Sequence, residues 1–395
     1  LTVPGPYHVG VVGAGVAGAA TAYLLARDGH RVTLMEQAPD PGPVGAGVLL
    51  QCSGQEVLRR LGVLDQVTAH AAPLDELYAR HQSGGILISN RYPDLEPDCR
   101  AYGVHRGVLF QTLYSLVNTQ PVDVRLGSLI VGRERAADGD WLTESSGRRH
   151  GPFDVVVLAD GARSRLRGAF GFRARVHRYA HGTLWVTAPG VTVHGRLLQV
   201  VRGCRQLLGL LPLGDGLCSL YWGLPVADFE RTRARGLGPL KDEILAFAPE
   251  AAEILDFVHD FEQLLFTAYG HVSVRRRHDE RAVLIGDAAH AMSPHLGQGI
   301  NLALVDAWRL AACLRAARSP AAAFHAFARL QRDYLRYYAA VTYVLSPFFQ
   351  SDWPVLGWGR DAVLPWLPRV PWVKRQMLLT VTGQKGGFFR GRVAV

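Results

Sequence analysis

The chain has 395 residues, 48% hydrophobic and 19% charged, which excludes intrinsic disorder and predicts two interlocked domains rather than one core. Its formal charge of +9 comes almost wholly from arginine, since only Lys241, Lys374 and Lys385 are lysines. The cations are spread out, with Arg275 to Arg277 the densest run, so the balance reads as a solvated surface that attracts anionic cofactors and not as a nucleic-acid interface.

In chain order, Tyr7 to Val12 is predicted as a strand that runs into a glycine turn, not as a signal sequence. Val16 to Arg27 has helical spacing and stops at Asp28-Gly29, and Val32 to Met35 is a second strand, completing a β-α-β unit. Ser53, with Glu56 three residues on, predicts a capping box for a helix reaching Arg60. Leu77 to Arg80 and Ile86 to Asn90 flank Ser83-Gly84-Gly85 as a hairpin, and Gly107 to Asn118 is helical. Short strands with turns at Asp138-Gly139 and Ser146-Gly147 end in the apolar strand Val155 to Leu158. Thr183 to Thr267 is predicted β-rich with one helix near Lys241 to Ala248. Val283 to Ile285 is a buried strand and Ile300 to Leu314 a long helix. Beyond Ser346 the chain is rich in Pro and Trp, from Trp353 to Trp372, and is expected to form a lid or packing strap, with contact to a membrane surface, near Arg369, Lys374 and Arg375, as the alternative.

Five cysteines without a C-x-x-C pair read as free thiols, and no His/Cys cluster has metal-ligand spacing. The most apolar stretch, Leu207 to Leu224, is broken by Pro212, Gly214, Asp215 and Gly216. A cytoplasmic location without stable membrane association is the expectation; oligomeric state is left open.

Three motifs carry chemistry. The first is Gly13-Ala14-Gly15-Val16-Ala17-Gly18, with Glu36 about eighteen residues beyond Gly18. Gly13 permits the tight turn, Gly15 lets backbone approach a pyrophosphate, and Gly18 allows helix and strand to pack closely. Glu36, at the end of the second strand, can accept hydrogen bonds from ribose hydroxyls. The second motif, Asp160-Gly161, closes a strand. The third runs from Gly286-Asp287 through His290, Pro294 and His295 to Gly297-Gln298-Gly299-Ile300-Asn301. There a buried strand delivers a carboxylate, and a rigid loop opens a long helix whose N–H groups favour anions and electron-rich rings.

Together these motifs resemble the FAD-dependent aromatic hydroxylases, the group that includes para-hydroxybenzoate hydroxylase. The resemblance implies an α/β fold, with a Rossmann-like FAD-binding domain at 1–73, 101–178 and 270–350. It implies an interleaved, mainly antiparallel substrate domain at 74–100 and 179–269 and a C-terminal extension at 351–395. It implies that Gly13, Gly15, Val16, Ala17, Gly18 and Glu36 hold the ADP half of FAD, and that Gly286-Asp287 meets the ribityl chain. Pro294 and Gly297 to Asn301 would line the flavin ring, and Arg106 would contact FAD from a helix start. Gly45 to Gln51, including Gly47 and Val48, would form the loop beside the flavin, and Asp160-Gly161 would serve both FAD and NAD(P)H. Asp287 is expected out of bulk water and Asp160 nearer solvent.

The implied reaction takes electrons from NAD(P)H and uses O₂ to hydroxylate or epoxidise an aromatic or unsaturated small molecule through a flavin C4a-hydroperoxide. Pro294 and His295 are the candidates nearest the reacting carbon, whereas His290 reads as structural. Tyr221 and Trp222 are the candidate substrate contacts. Three alternatives stay open: a flavoenzyme that does not insert oxygen, a halogenase (whose W-x-W-x-I-P pattern and catalytic lysine are not found) and a non-catalytic flavoprotein.

Overall fold

The computed structural model describes residues 5–42, 46–190, 193 and 195–393. The chain opens with β1 (His8–Val12), α1 (Val16–Arg27) and β2 (Arg31–Met35). Next come β3 (Gly47–Leu50), α2 (Cys52–Leu61), α3 (Leu64–Thr68), β4 (Ala71–Leu74), β5 (Glu76–His81), β6 (Ile86–Arg91), β7 (Ala101–His105) and α4 (Arg106–Asn118). They are followed by β8 (Val122–Arg125), β9 (Ile130–Ala136), β10 (Gly139–Glu144), β11 (Arg149–Phe153), β12 (Val155–Leu158) and α5 (Leu166–Ala169). Long strands β13 (Ala174–Pro189), β14 (Arg196–Arg202), β15 (Gln206–Gly214) and β16 (Leu217–Pro225) lead into α6 (Phe229–Arg235), α7 (Leu237–Phe247) and α8 (Ala252–Asp256). The chain continues through β17 (Leu265–Val274), β18 (Ala282–Leu284), α9 (Asp287–His290), α10 (Gly299–Ala316), α11 (Pro320–Phe349), α12 (Pro354–Val363) and α13 (Pro371–Val381).

A parallel sheet in the order β18-β12-β1-β2-β8 forms the first layer. Its central strands are unbroken apolar runs such as Val155–Leu158, all buried, because helices or loops cover both faces. Every parallel strand that matters ends on the same edge: Gly13 follows β1, Glu36 follows β2, Asp160 comes two residues after β12, and Gly286 lies just beyond β18. In open parallel sheets that carboxyl edge is where ligands bind.

A seven-stranded sheet, β17-β13-β16-β15-β14-β5-β6, forms the second body. Its pairs are antiparallel except β5 with β14. The segments 76–91 and 174–274, far apart in sequence, therefore share one sheet. Side chains alternate between its faces. Along β16, Cys218, Leu220, Trp222 and Leu224 enter a core with Leu240, Ile244 and Phe247 of α7, while Ser219 and Tyr221 point the other way. The small antiparallel sheet β3-β7-β4 bridges the two bodies. Gly103 of β7 permits the join: a Cβ there would fall 1.8 Å from the Pro212 carbonyl oxygen of β15.

One expectation is corrected. Helix α2 begins at Cys52 with Gln51 as its N-cap and no capping side chain, so Ser53 already lies inside it. Glu56 pairs instead with Arg59 and Arg60, whose guanidinium groups offer stronger donors than a backbone N–H. Helix α11, 30 residues long, is an addition that the aromatic-rich sequence did not suggest. Its start is signalled by Ser319, whose hydroxyl accepts from Ala322 N at 3.3 Å, followed by Pro320 in the first turn.

The end of α13 straps this assembly. Thr382 O accepts from Ser53 N at 3.2 Å, Val381 O from Gln298 Nε2 at 2.8 Å, and Gly383 O from the Tyr334 hydroxyl at 2.8 Å. Beneath it sits a buried polar network. Asp306 of α10 accepts from Gly286 N at 2.8 Å, from His290 Nε2 at 2.6 Å and from Gln331 Nε2, and Gln331 Oε1 accepts from Arg309 Nη1 at 2.5 Å. His290 is thus structural, fixed by a carboxylate. Asp306→Ala strands three buried donors at once, so unfolding in denaturant should show a loss of about 3 kcal/mol or more. Asp306→Asn, which keeps one acceptor oxygen, should lose less; equal stability of Asp306→Ala and wild type would show that the network carries no net energy.

Candidate active site

The glycine turn after β1 is close-packed on one side and open on the other. A Cβ at Gly18 would lie 1.8 Å from Gly13 O, and one at Gly13 would lie 2.5 Å from Ala159 O. At Gly15 nothing stands within 4 Å of the Cβ position, and Gly15 caps α1 without any side-chain hydrogen bond. The first-turn N–H groups of α1, at Val16 and Ala17, are therefore without a capping side chain, next to the open side of Gly15, as an anion-binding helix start requires. The Glu36 carboxylate accepts from Ala14 N at 2.7 Å and from Ala38 N at 2.9 Å, which fixes it over the turn and leaves acceptor capacity for hydroxyl donors. Arg106 is exposed in the first turn of α4, and its neighbour His105 is the register partner of Gly47 in β3. Gly47 N donates to Ser219 Oγ at 3.2 Å, tying β3 to the large sheet, and Val48 is partly buried beside it. Gly45 of the same expected loop lies outside the described residues.

Asp160 and Asp287 reverse the expected order of exposure. Asp287, first residue of α9, is exposed because the short helix directs it outward from the sheet edge. Asp160 is the more enclosed: burial pushes its carboxyl above the usual range, Ser164 opposes that shift, and its Oδ1 has no hydrogen-bond partner among the described residues. Arg167, missed in the sequence, locks the two motifs together. It is buried and donates to Ala288 O at 3.0 Å and to Ala162 O at 2.8 Å. No local pattern marks it; only the fold brings its partners within reach.

The loop from Gly286 to Ile300 turns twice on glycines of positive φ, Gly286 at 57° and Gly297 at 59°. Pro294 is exposed in a single 3₁₀ turn that ends at Leu296. Gly299 and Ile300 begin α10, whose N-cap Gln298 makes no side-chain capping bond, so this helix start is also free to face a ligand. Asn301 is different. Its Oδ1 accepts from Gln51 N at 2.9 Å and its Nδ2 donates to Leu49 O and Gly297 O, both at 3.0 Å. Fully buried and fully bonded, it clamps the helix to β3 and has no side-chain atom left for a ring.

The second wall is the outward face of the seven-stranded sheet. Tyr221 OH accepts from Gln199 Nε2 at 2.6 Å, its ring lies 5.2 Å from that of Trp185, and Gly209 opposite makes room for it. Burial pushes the Tyr221 hydroxyl well up, so it stays protonated. Tyr269 hydrogen-bonds Thr183 on the same face. Trp222 is turned away by the strand's period of two; it is buried with its ring edge-on to Phe247 at 5.1 Å and belongs to the core, not to this wall. Phe349 and Gln350 at the end of α11 close the space between loop and sheet, with Gln350 Nε2 3.4 Å from Gly182 O and the Phe349 ring 6.2 Å from that of His295. His295 Nδ1 sits 2.9 Å from Ser293 Oγ, itself 2.6 Å from Ser346 Oγ, and His295 Nε2 has no partner among the described residues. Burial, aided by the nearby His181, pushes the imidazole down to about 4, so it is neutral near pH 7. Gln199, Trp185, Thr183, Tyr269 and Gln350 were not singled out in the sequence, because alternating strands advertise burial and not which face meets a site.

A family model described as an FAD binding domain matches residues 6–325. The chain is 31% identical over 350 residues to kynurenine 3-monooxygenase of Salinispora arenicola (strain CNS-205), covering 81% of this chain and 75% of that protein. It is 30% identical over 336 residues to 6-hydroxynicotinate 3-monooxygenase of Pseudomonas fluorescens, covering 78% and 82% of the two chains. Among solved structures it superposes on PqsL of Pseudomonas aeruginosa, described as a probable FAD-dependent monooxygenase, with a TM-score of 0.79 and 25% identity over 91% of this chain and 99% of that one. The uncapped helix starts, the poised Glu36 and these matches agree: the chain belongs to the FAD-dependent aromatic hydroxylases and is a flavoprotein monooxygenase.

Proposed function

We propose that this chain oxygenates a small electron-rich aromatic or unsaturated molecule in the space between the 293–300 loop and the Tyr221 face of the large sheet. The observation that carries the reading is the convergence of the glycine turn, Glu36, Asp160 and Asp287 on one carboxyl edge of the parallel sheet. Relatives named for oxygenation of kynurenine and of 6-hydroxynicotinate support the substrate class.

The residues present fit FAD. The open side of Gly15 and the start of α1 would receive the pyrophosphate, Glu36 the adenosine ribose, and Asp160, Asp287 and Arg106 the remaining polar parts. Gly47, Val48, Gly297, Gln298, Gly299 and Ile300 would border the flavin ring, with the start of α10 favouring negative charge at its edge. Bound FAD would accept hydride from NAD(P)H and activate O₂. The protein's own part is position and dryness. Tyr221, with Gln199 behind it, offers a protonated hydroxyl to a substrate's polar group. Neutral His295 can take up a proton at Nε2, and Pro294 holds the loop rigid beside it.

The direct test is NAD(P)H oxidation against a panel of phenols, aromatic acids and quinone precursors, with peroxide and oxygenated product measured separately. Substrate-dependent consumption with one atom of labelled O₂ in the product is expected; oxidation that no panel member stimulates would count against the reading.

Three outcomes test the residues. Gly15→Glu should give a folded, colourless protein, because it fills the open side of the turn with bulk and like charge; retained yellow colour would move the pyrophosphate elsewhere. Asp160→Ala should weaken FAD binding by about tenfold or more, and Asp287→Ala by less, since an enclosed acceptor has already shed the water that an exposed one must still lose. Titration of both apo-proteins with FAD decides, and the opposite order would make Asp287 the principal anchor. His295 supplies the pH test. Its folded value near 4 lies below the ordinary 6.5, so the unfolded chain binds that proton first. The stability from the neutral ring is fully present above pH 6.5 and is lost as pH falls toward 4. His295→Gln should flatten this acid-side loss in denaturation midpoints; an unchanged slope would show that the ring is solvated.

A further inference from the structure

The apolar surface left exposed on this molecule is concentrated on one segment. Trp353, Trp358, Trp366 and Trp372 are 67%, 73%, 58% and 70% exposed, and they are the four exposed tryptophans among the described residues. On α12 the positions turned outward are Val355, Trp358, Gly359, Ala362 and Val363, a helical stripe with no charge in it. The inward positions are those that dock: Gly357 lets α12 approach the Gly203–Cys204 turn, where a Cβ would meet backbone at 3.1 Å, and buried Arg360 donates to Phe348 O at 2.8 Å. The helix is thus amphipathic the wrong way round for a protein surrounded by water, and an apolar face of this kind marks an interaction site.

The charges beside it select the partner. Asp352 is paired to Arg205 at 2.9 Å and Asp361 to Arg360 at 2.6 Å, so both carboxylates of the segment are occupied. Arg369 and Arg375 are exposed, with the Arg369 guanidinium 3.8 Å from the centre of the Trp366 ring. Indole rings beside arginines suit the boundary between lipid headgroups and acyl chains, and Arg369, stacked on Trp366 with no carboxylate against it among the described residues, suits anionic lipid. Helices of 10 and 11 residues lie in the interface rather than cross it, and no helix among the described residues is long and apolar enough to span a bilayer.

We propose that the face formed by Trp353, Trp358, Trp366 and Trp372 seats this protein on the interface of an anionic lipid bilayer. The proposal stands independently of the oxygenation chemistry and replaces the expectation of no stable membrane association. The test is co-sedimentation of the full FAD-loaded chain with vesicles of phosphatidylcholine alone and with phosphatidylglycerol added, beside light scattering without lipid. Binding that strengthens with phosphatidylglycerol is expected, with tryptophan emission quenched by brominated acyl chains. Trp358→Glu with Trp372→Glu should lower partitioning by roughly a hundredfold, with bound FAD retained as evidence of folding. No sedimentation with either vesicle would overturn the proposal. So would a dimer that the double variant splits while vesicle binding is unchanged, since the face would then belong to a second copy.

Discussion

Asp306 is the acceptor on which the frame of the site converges. One buried carboxylate holds the Gly286 N–H at the end of the parallel sheet, the imidazole of His290 and the amide of Gln331 on α11. A buried charge is tolerated only when it is so surrounded by donors. The consequence is positional: Asp287 and the loop to Ile300 are carried on a strand end that cannot shift without stranding several polar groups. Asn301 repeats the device one turn earlier in α10, fixing the helix start to β3. The loop is therefore held at both ends by buried polar groups of the frame, which leaves Asp287 and the His295 Nε2 without a frame partner among the described residues.

This division of labour explains which parts of the site could be read from sequence. The glycine turn was legible because each glycine answers a local steric demand, and Gly18 meets one at 1.8 Å. Glu36 was legible because it sits at a fixed distance along the chain from that turn. Asn301, by contrast, lies within a motif expected to line a flavin, and only its three partners reveal that it is a clamp. The order of Asp160 and Asp287 was misjudged for a related reason. A strand end tells how a residue enters the edge, not which way a short helix then turns it.

The substrate wall was the least legible part. Tyr221 and Trp222 are adjacent, equally aromatic and on the same strand, yet one faces the loop and the other the α7 core. Register decides between them, and register is set by pairing with β13 and β15 at residues far from both. Helix α11 was hidden by its own aromatic content, because its tyrosines are used as hydrogen-bonding struts: Tyr334 and Tyr338 are buried and reach the strap near Thr380 and Gly383. The fold class needed none of this detail, since alternating β and α segments around a glycine turn already specify a parallel sheet.

The strap at Val381 to Gly383 has a bearing on how the protein is made. It fastens Gln298 and Ser53, which themselves flank a loop anchored to the first strand's neighbours. In a growing chain the Gly13 turn emerges well before the groups that close the opposite side, which appear only when residue 383 does. The pairing of β5 with β14 imposes the same delay on the sheet. Folding dominated by such distant pairings is slow and passes through incompletely packed states. The frame around the Gly13 turn is therefore completed only after residue 383 has been made.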